Sequence, residues 1–202
     1  MSAIFSPLII PTYCTVMAMW LTPLQSLPED TRLLASLVIL VLTGILPLLI
    51  LITLMRMGRL KDLDISDRRQ RLQPLIYVLV CYGVAVAYMH HVHAPWWLVM
   101  YYVSGCITAL VVALISLWWK ISAHGSAMGN MTAMMAALIL GDYTELNLTI
   151  WVCVAILLTG LVGTSRLILQ RHTVLQVYAG ILLSAGITGV CMLWDIFKDI
   201  VY

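Results

Sequence analysis

Arg166 and His172 share one short polar break, Ser165-Arg166-Leu167-Ile168-Leu169-Gln170-Arg171-His172-Thr173-Val174-Leu175-Gln176, set between two long apolar runs. A charge at the edge of so apolar a segment is costly and calls for a function. An arginine offers a planar, permanently charged fork of donors that matches phosphoryl oxygens. A histidine can serve as nucleophile or as general acid. A second island, Lys120-Ile121-Ser122-Ala123-His124-Gly125, puts another serine and histidine at the opening of a helix. Helix N-termini present unpaired N–H groups and a positive dipole end, which together suit a phosphate. A third island, 56–74, carries Lys61, Arg68 and Arg71. Two histidines, an arginine and further cations are the parts of a phosphate-binding and phosphoryl-transferring site. Such a site calls for neither a metal nor a cofactor, and no carboxylate cluster points to a metal.

The elements that must position these residues are membrane helices. Of 202 residues 62% are hydrophobic and 10% charged, with a mean hydropathy of +1.01. The apolar runs are continuous rather than alternating at period two, so helices are expected and not a barrel. They fall at about 4–21, 33–55, 75–88, 96–119, 128–140, 148–164 and 174–197. The expectation is an all-α, polytopic transmembrane bundle of six or seven helices in one domain spanning 1–202. The first run, with Pro7 and Pro11, reads as a short or tilted spanning helix without the basic start of a signal peptide. The first and fifth runs are the weakest. The small residues around Gly125 and Gly129, and Ala179, Gly180, Ala185 and Gly186 near the end, read as close helix packing.

If every run crosses, the loops 56–74, 120–127 and 165–173 share one face, which places the site at one membrane face. That face holds nine of the eleven Lys and Arg against three acids, Asp62, Asp64 and Asp67. The positive-inside rule would make it cytoplasmic, whereas anion binding would account for the same cations without fixing an orientation.

Ser165-Arg166-x5-His172 resembles the third motif of the type 2 phosphatidic acid phosphatase family, membrane lipid phosphatases related to vanadium haloperoxidases, and Val177-Tyr178-Ala179-Gly180 is similar to the helix that follows it. Ile121-Ser122-Ala123-His124 resembles the second motif, usually Pro-Ser-Gly-His. The first motif, a lysine followed after six residues by Arg-Pro, is matched in part: Lys61 and Arg68 keep the spacing, but Arg69 replaces the proline, and Arg71 with Pro74 is the alternative. The resemblance covers about 56–185 and points to a divergent bacterial branch, hence to the bacterial inner membrane. It implies attack by His172 on phosphorus, charge neutralisation by Arg166 with Lys61, Arg68 or Arg71, phosphate contacts from Ser122 and Lys120, and protonation of the leaving group by His124. The implied activity is hydrolysis of a lipid phosphate or pyrophosphate, with phosphatidic acid, phosphatidylglycerol phosphate, undecaprenyl pyrophosphate and phosphorylated lipid A as family substrates. The implied partners are the bilayer and that lipid, without nucleic acid.

Two departures open an alternative. The family places an aspartate one turn after the nucleophilic histidine, and here that position is Gln176. It can orient the ring but brings no charge to favour the imidazolium. Loss of the orienting carboxylate in a serine-protease triad costs ~10⁴ in rate. Ile121 and Ala123 replace proline and glycine. The alternative is therefore a non-catalytic relative that binds or transports a phospholipid or other anionic lipid.

Other features have plainer readings. His90-His91-Val92-His93 with Pro95-Trp96-Trp97 reads as an interfacial turn with an aromatic belt, and Trp118-Trp119 as the belt of the other face. Met131, Met134 and Met135 read as bundle packing. The five cysteines, Cys14, Cys81, Cys106, Cys153 and Cys191, stand singly in apolar runs and read as small buried hydrophobes.

Overall fold

The computed structural model describes residues 6–60 and 72–194, and over that range the protein is all-helical, without strands. Helix α1 is Ile10–Leu21, α2 the continuous run Glu29–Arg56, α3 Leu72–His91, α4 Trp96–Ser116, α5 Ala123–Leu140, α6 Thr149–Ile168 and α7 Val174–Met192. Five of them, α2, α3, α4, α6 and α7, are long and apolar enough to cross a membrane.

The outer surface has the character of a membrane protein. Leu34, Leu37, Val41, Ile45 and Leu48 of α2, and Ile150, Val154, Leu157 and Leu161 of α6, recur every three or four residues and are all exposed. One face of each helix is therefore an apolar stripe turned away from the core, a patch that a water-soluble monomer rarely shows and that lipid accommodates.

Helix α1 is shorter than its apolar run. Pro11 falls in its first turn, where a proline's missing N–H costs nothing, and Ser6–Ile9 forms the preceding turn. At 12 residues it rises ~18 Å, less than a hydrocarbon core of ~30 Å. Its side chains Ile10, Cys14 and Ala18 are buried in the main core instead. Helix α2 passes Pro47 by a π-helical turn, Leu40–Ile45. Leu46 N–H donates to the Val41 carbonyl, five residues back, so the turn widens just before the residue that cannot donate to Thr43.

Helices α5 and α7 form the closest pair. A Cβ added at Gly129 would lie 2.4 Å from the Ile181 carbonyl oxygen, one at Gly125 2.8 Å from that of Val177, and one at Gly180 2.6 Å from that of Ser122. Backbone thus meets backbone over two turns, as small residues spaced four apart permit. Gly186 departs from the sequence expectation, because a Cβ there would meet nothing within 4 Å. Met128, Met131, Met134 and Met135 fill the core beside this seam. Cys14 and Cys81 are buried and Cys106 and Cys191 partly so, but Cys153 is exposed, because it lies on the outward stripe of α6 and not on its packed face.

Interhelical hydrogen bonds add polar fixings inside the bundle. Thr188 Oγ1 donates to Asn130 Oδ1 at 2.9 Å and lies 3.1 Å from Ser104 Oγ, while Thr132 and Thr159 hydroxyls pair at 2.8 Å. Thr15 also pairs with Tyr102. Each such bond inside a membrane bundle is worth ~0.6 kcal/mol on average. One end of the bundle is closed by the α5–α6 connection: Tyr143 Oη donates to the Met192 carbonyl at 2.8 Å, Thr144 Oγ1 to that of Leu21 at 2.8 Å, and the Tyr143 ring stacks on Trp97 at 5.7 Å. Trp97 is therefore a core residue, whereas Trp96, Trp118, Trp151 and Trp194 are exposed. The opposite end carries the polar islands at 120–125 and 165–176.

Candidate functional site

The site is built where α6 ends and α5 and α7 begin. Arg166 occupies the last turn of α6 and is only 2% exposed. Three and four residues before it, Gly163 and Val162 are buried on the same helix face. A Cβ at Gly163 would touch Val177 Cγ1 at 3.2 Å, so the buried side of this last turn is the one that leans on the first turn of α7.

The chain then reverses within a few residues. Arg171 N–H donates to the Arg166 carbonyl and Gln170 N–H to that of Leu167, with Gln170 at φ 50°. This double bond pattern around a left-handed residue is a Schellman turn. The turns after α2, α3 and α5 repeat it with Gly58, His93 and Asp142 as the left-handed residue. His93 is thus accounted for by its place in the backbone. A left-handed conformation costs a residue with a Cβ ~1–2 kcal/mol. Gln170→Gly is accordingly expected to raise the thermal unfolding midpoint in detergent by roughly 2–4 °C, the shift for ~1 kcal/mol in a chain of this size. A lowered midpoint would contradict the turn geometry.

His172 sits immediately before the N-cap of α7. Thr173 and Gln176 form a capping box, Thr173 Oγ1 accepting from Gln176 N–H at 3.4 Å and Gln176 Oε1 accepting from Thr173 N–H at 3.2 Å. The same Oε1 lies 3.2 Å from His172 Nδ1. Because Thr173 N–H can only donate, the atom facing it is the amide oxygen, so Nδ1 must carry the proton in this contact. In the neutral ring the lone pair then belongs to Nε2. Gln176 thus contacts the imidazole, and its place in the capping box explains why a long amide suits this position.

Gln176 also joins the two islands. Its main-chain carbonyl accepts the Ser122 N–H at 3.1 Å. Ser122, fully buried, caps α5 by accepting the Gly125 N–H at 3.1 Å, and its own carbonyl accepts the Ser126 hydroxyl at 3.1 Å. Two helix N-termini therefore lie side by side, with half-buried His124 in the first turn of one and half-buried His172 just ahead of the other. Lys120, also half-buried, precedes the Ser122 cap at the same end. Lys61, Arg68 and Arg71 lie outside the described residues. Their flanks lead to this end: Leu60 packs with Leu8, Leu51 and Leu54, and Pro74 shares a cavity wall with Leu8, Leu51 and Ala123.

The chain matches no protein family model, no curated protein and no solved structure. Its likeness to the type 2 phosphatidic acid phosphatases accordingly stands on the motifs quoted above. Among the described residues no group of three or more His, Cys, Asp or Glu is placed to hold a metal.

Sequence reasoning missed Thr173 and Gln170. Thr173-x-x-Gln176 is a readable capping-box pattern, overshadowed by the functional role sought for Gln176. Gln170 has no signature, since glycine or asparagine is the usual residue of such a turn.

Proposed function

We propose that the protein is a membrane-embedded lipid phosphatase that hydrolyses a lipid phosphate or pyrophosphate through a phosphohistidine. The observation that carries this reading is the double use of Gln176, which holds His172 Nδ1 by its side chain and Ser122 N–H by its main chain. Those two bonds join Ser122, the N-cap of α5, to the start of α7 beside His172, which supports a shared site.

In this mechanism His172 Nε2 attacks phosphorus and the P–O bond to the lipid breaks. His124 gives its proton to the departing lipid oxygen. Gln176 Oε1 keeps Nδ1–H in place as the ring becomes positive. Arg166 with Lys61, Arg68 or Arg71 balances charge on the equatorial oxygens, and Ser122 and Lys120 complete the phosphate cradle. Water, deprotonated by His124, then attacks phosphorus and releases inorganic phosphate and His172. Preorganised donors of this kind usually supply the largest part of the rate, ~3 kcal/mol for one donor. The bundle crosses the membrane six or seven times, with the site at one membrane face, and the bacterial inner membrane is its proposed home.

A second reading is favoured by one observation: Gln176 is uncharged and already engaged in the capping box. On that reading the protein binds or transports an anionic lipid without turning it over. Phosphate release from a panel of lipid phosphates by purified protein in detergent, without added metal, separates the two. Turnover by the wild type supports the phosphatase. Binding with no turnover, even in Gln176→Asp and Gln176→Glu, supports the binder.

The glutamate variant is the sharper of the two. It keeps the length that reaches Thr173 N–H and adds the missing charge, whereas aspartate is one methylene shorter and gives up the cap. Charge-assisted hydrogen bonds are roughly twice as strong as neutral ones, so Gln176→Glu is expected to raise kcat by about tenfold, equivalent to ~1.4 kcal/mol. A fall in kcat would mean that the imidazolium needs no carboxylate here.

A further inference from the structure

A cavity of about 140 Å³ lies between α2, α3, α4 and α5 beside the start of α1, close to the size that takes a benzene-sized apolar group. It begins at Ala123, next to Ser122 and His124, and follows α5 to Asn130, about two turns or ~10 Å along the axis. Its walls are mostly apolar, Leu51, Leu75, Val78 and Val112 among them, but Asn130 and Tyr82 also line it.

Asn130 is only 7% exposed. Its Oδ1 accepts from Thr188 at 2.9 Å and Thr108 at 3.5 Å, while its amide N–H groups have no partner among the described residues. The Tyr82 ring covers Gly105, and its hydroxyl likewise makes no hydrogen bond among the described residues. A donor that lines an apolar cavity without a protein partner gains by meeting an acceptor there, and this cavity has two such residues, nine-tenths buried Asn130 and half-buried Tyr82. The matching ligand is apolar and carries an acceptor without a proton of its own. An acyl chain joined through an ester has that character. A polyprenyl chain has no such acceptor.

We propose that this cavity seats the ester end of an acyl chain, with Asn130 and Tyr82 donating to the ester oxygens, so that the protein selects a diacylglycerol-type phosphate over a polyprenyl one. The phosphatase reading fixes where the lipid's phosphate sits, but the ester site can be measured apart from turnover.

The test compares a diester-linked lipid phosphate with its diether-linked counterpart of equal chain length and with a polyprenyl phosphate. Phosphate release gives kcat/KM, and titration with non-hydrolysable diester and diether phosphonates gives Kd. The wild type is expected to favour the diester about tenfold in both measurements, the effect of a neutral hydrogen bond or two. Tyr82→Phe keeps the ring over Gly105, and Asn130→Ser keeps an oxygen on the side of Thr108 and Thr188. Each should shrink the preference without changing the diether values, and Tyr82→Phe decides alone if Asn130→Ser does not fold. Preferential diester binding with no release from any substrate would sink the phosphatase reading and uphold the ester site. Equal diester and diether values in the wild type would overturn the ester site and assign the two donors to water.

Discussion

His172→Ala is expected to reduce phosphate release by on the order of 10⁴-fold or more, because a reaction that passes through a covalent intermediate loses its route with its nucleophile. The fold should survive the change. His172 precedes the N-cap of α7, and the capping box between Thr173 and Gln176 persists without it. The thermal midpoint should therefore stay within about 1 °C of the wild type, since exposed or half-exposed positions outside packed seams usually cost less than ~0.5 kcal/mol. Arg166 and the two helix N-termini would remain, so lipid phosphate should still bind. That separation of binding from release is what a nucleophile's removal produces and a folding defect does not. Full activity in a folded His172→Ala protein would remove the histidine from the chemistry. His124→Ala should behave differently, its loss being smaller with a phosphate ester whose leaving group needs no proton.

Gly129→Ala is expected to be the most damaging single-methyl change in the fold. Its Cβ would meet the Ser184 hydroxyl and, at 2.4 Å, the Ile181 carbonyl oxygen. A serine side chain can rotate away, but a helix carbonyl cannot move without its helix. Helices α5 and α7 would have to separate, with loss of ~3 kcal/mol, the upper range for overpacking, and a fall of roughly 6–12 °C in the thermal midpoint. The effect should reach the site, because the same two helices are tied by Ser122 N–H and the Gln176 carbonyl one turn and more away. Phosphate release should fall even at temperatures where the protein is folded. An unchanged midpoint would show that the two backbones do not approach so closely. Gly186→Ala is the control, since nothing lies within 4 Å of its added Cβ.

Much of this arrangement was legible in the residues. Long apolar runs announced α2, α3, α4, α6 and α7, because in lipid only length and hydropathy are needed to make a helix and bury its backbone. Arg166 and His172 stood out because charge is costly beside such runs. The Gly125 and Gly129 pair promised close packing and provides it. The limits have equally physical causes. Apolarity alone could not show that α1 begins only at Ile10, which Pro7 and Pro11 impose. The opening of α5 was legible in Ser122 and His124, whereas the apolar run at 128–140 understated its length, because its first turn is made of small seam residues and not of apolar ones. Cys153 and Gly186 look like packed residues by type, but the direction each faces depends on neighbours that a single sequence does not place. The π-helical turn in α2 has its cause in Pro47, whose position predicts a disturbance without naming its form.

The most direct test of the central claim is to trap the intermediate. Purified protein in detergent would be mixed with a lipid phosphate labelled in its phosphorus, quenched in alkali within the first turnover, and digested for mass spectrometry. The account predicts a phosphoryl group that survives alkali, is lost in acid, and maps to His172, with none in His172→Ala. Steady release of phosphate with no label on His172, or with label on another residue, would contradict it.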